Sequence, residues 1–128
     1  MMLTISKCLN VLKEHYPDIK FFNGCIGKTE KCVGLYARGN AAPPSAIGSK
    51  PSYGVLPMTM LIHWGENSDE CEITANRLYE GLENGIAEID GVRVIQLQLL
   101  DSTPVNIGRD DNNICEMTIR LNIMYERR

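Results

Sequence analysis

The sequence has no closely spaced cysteine pair, no cluster of Lys and Arg, no long hydrophobic run and no catalytic motif, and each absence removes a class of function. Its five cysteines, Cys8, Cys25, Cys32, Cys71 and Cys115, stand at least seven positions apart. Neither a disulfide framework nor a C-x-x-C zinc pair is signalled, and they read as reduced, mostly buried thiols of a protein made in a cytosol. The longest uncharged apolar stretch, 51–64, holds 14 residues and two prolines, too short and too broken to span a bilayer. The opening Met1-Met2-Leu3-Thr4-Ile5-Ser6-Lys7 lacks the apolar stretch of a signal peptide, and no N-x-[ST] site occurs, so the expectation is an intracellular product. Thirteen basic residues against 16 acidic give a net charge of −3 and a pI near 5.4. That balance argues against a nucleic-acid binder working through phosphate neutralisation.

What is present is an ordinary globular mixture. The 128 residues are 44% hydrophobic and 23% charged, which suits one domain over residues 1–128. A core of that size buries about two-thirds of the unfolded surface and needs no metal or disulfide staple.

Periodicity divides the chain into elements. Ile5, Leu9, Leu12 and Tyr16 fall on one helical stripe, with Thr4 placed as N-cap and Pro17-Asp18 as the stop. Ile19–Asn23 and Cys32–Arg38 read as a hairpin across the Gly-rich segment Gly24–Lys31. Gly39–Gly54, with three prolines and three glycines, excludes regular helix or central strand. Val55–Trp64 reads as a strand covered on both sides. The second helix opens at Asn67-Ser68-Asp69, with Asp69 and Glu72 as a capping pair. Its stripe of Ile73, Leu78, Leu82, Ile86 and Ile89 predicts about 20 residues of helix, ended by Asp90-Gly91. Val92–Leu100 forms the next strand and Asp101–Asn113 a second irregular segment. From Cys115 to Glu126 apolar and polar residues alternate, predicting a long strand buried on one face. The sum is an α+β domain with helices on one face of a four- or five-stranded sheet.

Candidate chemistry is sparse. Gly24-Cys25-Ile26-Gly27-Lys28-Thr29 has the look of a phosphate loop, but Phe22 stands where that motif needs glycine, and a strand follows instead of a helix. It reads as a turn, with Cys25 beside Lys28 as the thiol to test for reactivity. His15 and His63 have no paired Cys or carboxylate spacing, so no metal site is defined and His63 reads as a half-buried sheet residue. Asp110-Asp111-Asn112-Asn113 reads as Asx-turn chemistry before the last strand. No G-x-S-x-G occurs. The expectation is a protein with no catalytic residue and no cofactor, whose irregular segments on a rigid sheet bind partners.

The stretch Thr103-Pro104-Val105-Asn106-Ile107-Gly108-Arg109-Asp110-Asp111-Asn112-Asn113, running into the strand from Ile114 to Arg127, resembles the close of tail terminator proteins of long-tailed bacteriophages, also called minor capsid or tail completion proteins. The likeness lies in a proline, a Gly-Arg-acid step, then a long amphipathic strand ending in Tyr and basic residues. The resemblance implies a mixed sheet with two helices on one side, assembled as a homo-hexameric ring. Such a ring caps the tail tube, stops its polymerisation and offers the surface to which the head's connector docks, so its partners are further copies of itself, the tail tube protein and a head-completion protein. It would reside in the virion at the head–tail junction after synthesis in the bacterial cytoplasm, with no membrane contact. DNA passes through the hole without specific binding; six copies at −3 carry −18, which repels phosphates mildly. The contacts implied fall in the two irregular segments, at Pro43, Pro44, Lys50 and Tyr53 in the first and at Arg109, Asp110 and Asp111 in the second. Arg109 would pair with an acid of the adjacent subunit or stand as a solvated turn residue. A connector or stopper at the neighbouring ring, or a small enzyme or ligand-binding domain on the same scaffold, are the alternatives.

Overall fold

The computed structural model describes residues 2–24, 30–39 and 53–127. The Cys25–Lys28 turn and the contact candidates Pro43, Pro44 and Lys50 lie outside the described residues. Helix α1 (Ile5–His15) begins as the sequence predicts: Thr4 is extended and its side chain accepts from the Lys7 amide at 3.3 Å. That contact satisfies one of the donors a helix start leaves unpaired. Cys8 and Leu12 are buried beneath it.

Helix α2 (Ser68–Glu83) departs from expectation at both ends. Its cap is Asn67, whose Oδ1 accepts from the amides of Asp69 at 3.0 Å and Glu70 at 3.3 Å. Asp69 and Glu70 instead sit in the first turn, where negative charge meets the positive end of the helix dipole. The helix is 16 residues long, about 24 Å, and stops at Gly85, which takes φ +82°. The predicted stripe overran because Ile86 and Ile89 still pack into the same core after the helix has ended. Asp90 and Gly91, at φ +48° and +82°, form the two-residue turn joining β4 (Glu88–Ile89) to β5 (Val92–Leu99), a connection that requires positive φ at both positions.

Among the described residues seven strands make one mixed sheet: β1 (Lys20–Asn23), β2 (Cys32–Ala37), β3 (Tyr53–His63), β4, β5, β6 (Val105–Arg109) and β7 (Cys115–Glu126). The order is β1-β2-β3-β7-β5-β4, with β6 also pairing β7. The class is α+β, as the sequence predicts, with β4 and β6 added to the expected strands. The expected hairpin is not one: β1 and β2 run parallel, Lys20 opposite Cys32 and Asn23 opposite Leu35. Alternation tells which face a side chain takes, not which way a strand runs.

Both helices lie on one face. Cys8, Val11 and Leu12 of α1 and Leu82 of α2 line a small apolar gap with Met58, Leu97 and Ile123 of the sheet. The core centres on β3 and β7, where Met58, Met60 and Ile62 stand opposite Leu121, Ile119 and Met117. On β7 the predicted alternation is complete, with Cys115, Met117, Ile119, Leu121, Ile123 and Tyr125 all buried.

Among the described residues the other face carries no helix. There the carbonyl of Pro57 accepts from the Arg38 amide at 2.9 Å, so the two residues oppose each other as a bonded pair and the missing proline donor faces the end of β2. That placement makes a proline tolerable inside the sheet. The Arg38 guanidinium reaches over β3 and β7, donating to the carbonyls of Met58 and of Leu121, the latter at 3.0 Å, and to the Asn122 side chain.

Candidate functional site

Near one end of the sheet the strands line up in rows. Lys20, Cys32, His63, Glu116 and Gly108 form one row across β1, β2, β3, β7 and β6; Phe22, Gly34, Leu61, Thr118 and Val105 form another. At this level the sheet is five strands wide, about 19 Å from β1 to β6 at the usual strand spacing. Among the described residues β1 pairs only with β2, and β6 only with β7. Two open edges therefore face away from each other.

The β6 edge is unusual in what it exposes. All five of its residues are exposed, Val105 by 37% and Ile107 by 54%, and Ile95 and Leu100 just before it are exposed by 51% and 38%. Pairing with β7 skips a residue between Asn106 and Gly108, so Ile107 is the extra residue of a bulge. Gly108 supplies φ +101° there, and its amide donates to Asn106 Oδ1 at 2.8 Å. A bulge twists an edge and discourages pairing with an arbitrary flat strand. The sequence reading took 101–113 as irregular because this strand has no buried face to impose alternation.

The three contact candidates Arg109, Asp110 and Asp111 come together in the turn from β6 to β7. Asp110 behaves as expected of an Asx turn: Oδ1 accepts from the amides of Asn112 and Ile114, each at 2.9 Å, and Asn113 takes φ +65°. Arg109 is engaged within its own chain. Its guanidinium donates to the carbonyls of Glu66 at 3.0 Å and Asn113 at 2.9 Å and to Ser68 Oγ at 2.7 Å, clamping the turn against the start of α2. Asp111 is exposed. Tyr53, the first residue of β3, is half-buried opposite Glu126, at the far end of the strand from this turn.

Sequence reasoning missed the partnership of His63. It is 5% exposed, with Nδ1 2.9 Å from Glu116 Oε2 and Nε2 3.8 Å from Asp110 Oδ2. The residues are 53 and 47 positions apart, and only strand register, which spacing does not reveal, brings them together. The pair fastens the β6–β7 turn to the end of β3. Cys32 stands next to His63 across the strands, but burial pushes its thiol up to about 11, with the Glu116 charge adding to the effect and Lys20 opposing it. Burial likewise pushes Cys8 up to about 12 and Cys71 up to about 11. Such thiols hold almost no nucleophilic thiolate near neutrality. Among the described residues no group of three or more His, Cys, Asp or Glu is placed to hold a metal ion, and no helix is long and apolar enough to cross a membrane. No family model matches this sequence, and no curated protein matches it.

Proposed function

We propose that this chain is a structural protein of a long-tailed bacteriophage or a tail-like particle, acting through self-assembly. Its copies close into a ring on the finished tail tube, end tube polymerisation and provide the surface to which the head's connector docks. The observation that carries this reading is β6, a strand whose five residues are all exposed and which adds nothing to the core. An edge strand with exposed Val105 and Ile107 and, among the described residues, no covering element invites a partner strand, and a head-to-tail contact that closes gives a ring. The C-terminal likeness to tail terminators supplies the biological setting, and DNA passes through the ring without specific contacts.

The test is tube growth. Added to its own tail tube subunits, the protein is expected to halt elongation and to appear by electron microscopy as an annulus on one tube end. Tubes that keep lengthening with bare ends would overturn the proposal. Annuli found only on isolated head connectors would place the ring one position away, at the connector.

A further inference from the structure

We infer that the two open edges are partners for each other: the β6 edge of one copy docks antiparallel on the β1 edge of a second copy, guided by a charge difference between the two sides of the sheet. The inference rests on the assembly reading above and specifies its interface. The sheet is divided by sequence. Its β1-β2-β3 side comes from the first 64 residues, of which the described ones hold five basic and three acidic residues and so carry +2. Its β7-β6-β5-β4 side comes from the last 64, of which the described ones hold five basic and thirteen acidic residues and so carry −8. The modest total of −3 conceals this polarity.

The two edges match in detail. They occupy the same rows and have similar lengths, four residues in β1 and five in β6. Following the strand directions across the sheet, β1 and β6 run opposite ways, so continuing the sheet into a second copy rotated about an axis along the strands gives an antiparallel pair. Beside β1 lies an open groove lined by Lys13, Pro17, Ile19, Lys20, Phe21 and Phe22, an apolar floor between two lysines. Opposite it, β6 offers exposed Ile107 and Val105 followed by exposed Asp111. The positive charge of Arg109 is already committed to carbonyls and to Ser68. Like-with-like docking is disfavoured: β1 on β1 sets lysine rims together, and β6 on β6 sets acidic turns together, and facing like charges oppose association. A contact between two different surfaces propagates head to tail and closes when the rotation allows.

Charge reversal tests the pairing on the whole chain, read by sedimentation of the self-associating protein at low salt. Lys20→Glu and Asp111→Lys each sit on exposed positions, and each is expected to weaken self-association about tenfold while melting like the wild type. The double variant K20E/D111K is expected to regain association to within about threefold of wild type, and raising salt to 0.5 M, where the Debye length falls to about 4 Å, is expected to weaken wild type and double variant alike. A double variant at least as weak as the singles overturns the inference. So does a wild type that stays monomeric at about 1 mM. The two proposals fail separately: copies that join through these edges yet never cap a tube refute the tail role alone, and tube-capping rings indifferent to both reversals refute the edge assignment alone.

Discussion

Strands β5 and β6 share one edge of β7, yet they are built for different ends. β5 pairs with β7 over Val94–Leu99 and sends Leu97 and Leu99 toward Ile123 and Leu121, where they pack on the core. Its start is covered by β4 through the Asp90-Gly91 turn. β6 pairs with the other half of the same edge, has no covering strand among the described residues, and buries none of its five side chains. A segment that folding does not need as core is kept in strand geometry all the same, by the Gly108 bulge and by the Arg109 clamp. The contrast teaches that apolar content alone does not identify core: Ile107 and Leu97 are alike in chemistry, yet Leu97 packs on the core while Ile107 is exposed.

Substitutions sharpen this contrast, and the largest effect on folding is expected from the covered half. Leu121 is fully buried at the centre of β7, and Leu121→Ala should lower unfolding free energy by about 3–4 kcal/mol in urea titration. Next is Arg38→Met, which removes the donor serving the Met58 and Leu121 carbonyls and the Asn122 side chain. Stability should fall by about 1–2 kcal/mol because part-buried acceptors lose their partner. Ile107→Lys on the open half should change unfolding free energy by less than about 0.5 kcal/mol, while weakening self-association in the same sample. If it destabilised the monomer as Leu121→Ala does, β6 would be core and the comparison would collapse.

The smallest effect belongs to the ion pair flanking the junction of β5 and β6. Arg120 holds Asp101 at 2.8 Å, and the hydrogen bond to that guanidinium pulls the Asp101 carboxyl below its ordinary value. A carboxyl lowered in the folded state adds stability above its unfolded pKa of about 3.9, and that stability is lost as pH falls through the folded value. Thermal melts of Asp101→Asn should therefore lie slightly below wild type near pH 7 and converge with it under more acidic conditions. A gap that widens with acid would contradict the assignment.

The parts of the fold legible in the sequence are those where burial imposes a period. Twelve residues of strict alternation announced β7, and the Ile5–Leu9–Leu12 stripe with its Thr4 cap announced α1. Where burial does not follow the chain's local period, the reading slipped. The α2 stripe ran on to Ile89 because the core continued past the helix, and β1–β2 looked antiparallel because alternation carries no direction. β6 is illegible as a strand for the same reason it is of interest: none of the described residues covers it. Of the contact candidates, Arg109, Asp110 and Asp111 do share one turn, with Arg109 spent on holding it. The His63–Glu116 pair depended on a register between strands that no local signal encodes.

Amide hydrogen exchange across a concentration series tests most directly the claim that the open edge exists to be covered by another copy. At low concentration the outward amides of Val105–Arg109 and Lys20–Asn23 should exchange rapidly. At high concentration both segments should gain protection together, while the β4 turn at Asp90-Gly91 keeps its rate. Exchange in β6 that is the same at both concentrations, with the protein associated, would contradict the account.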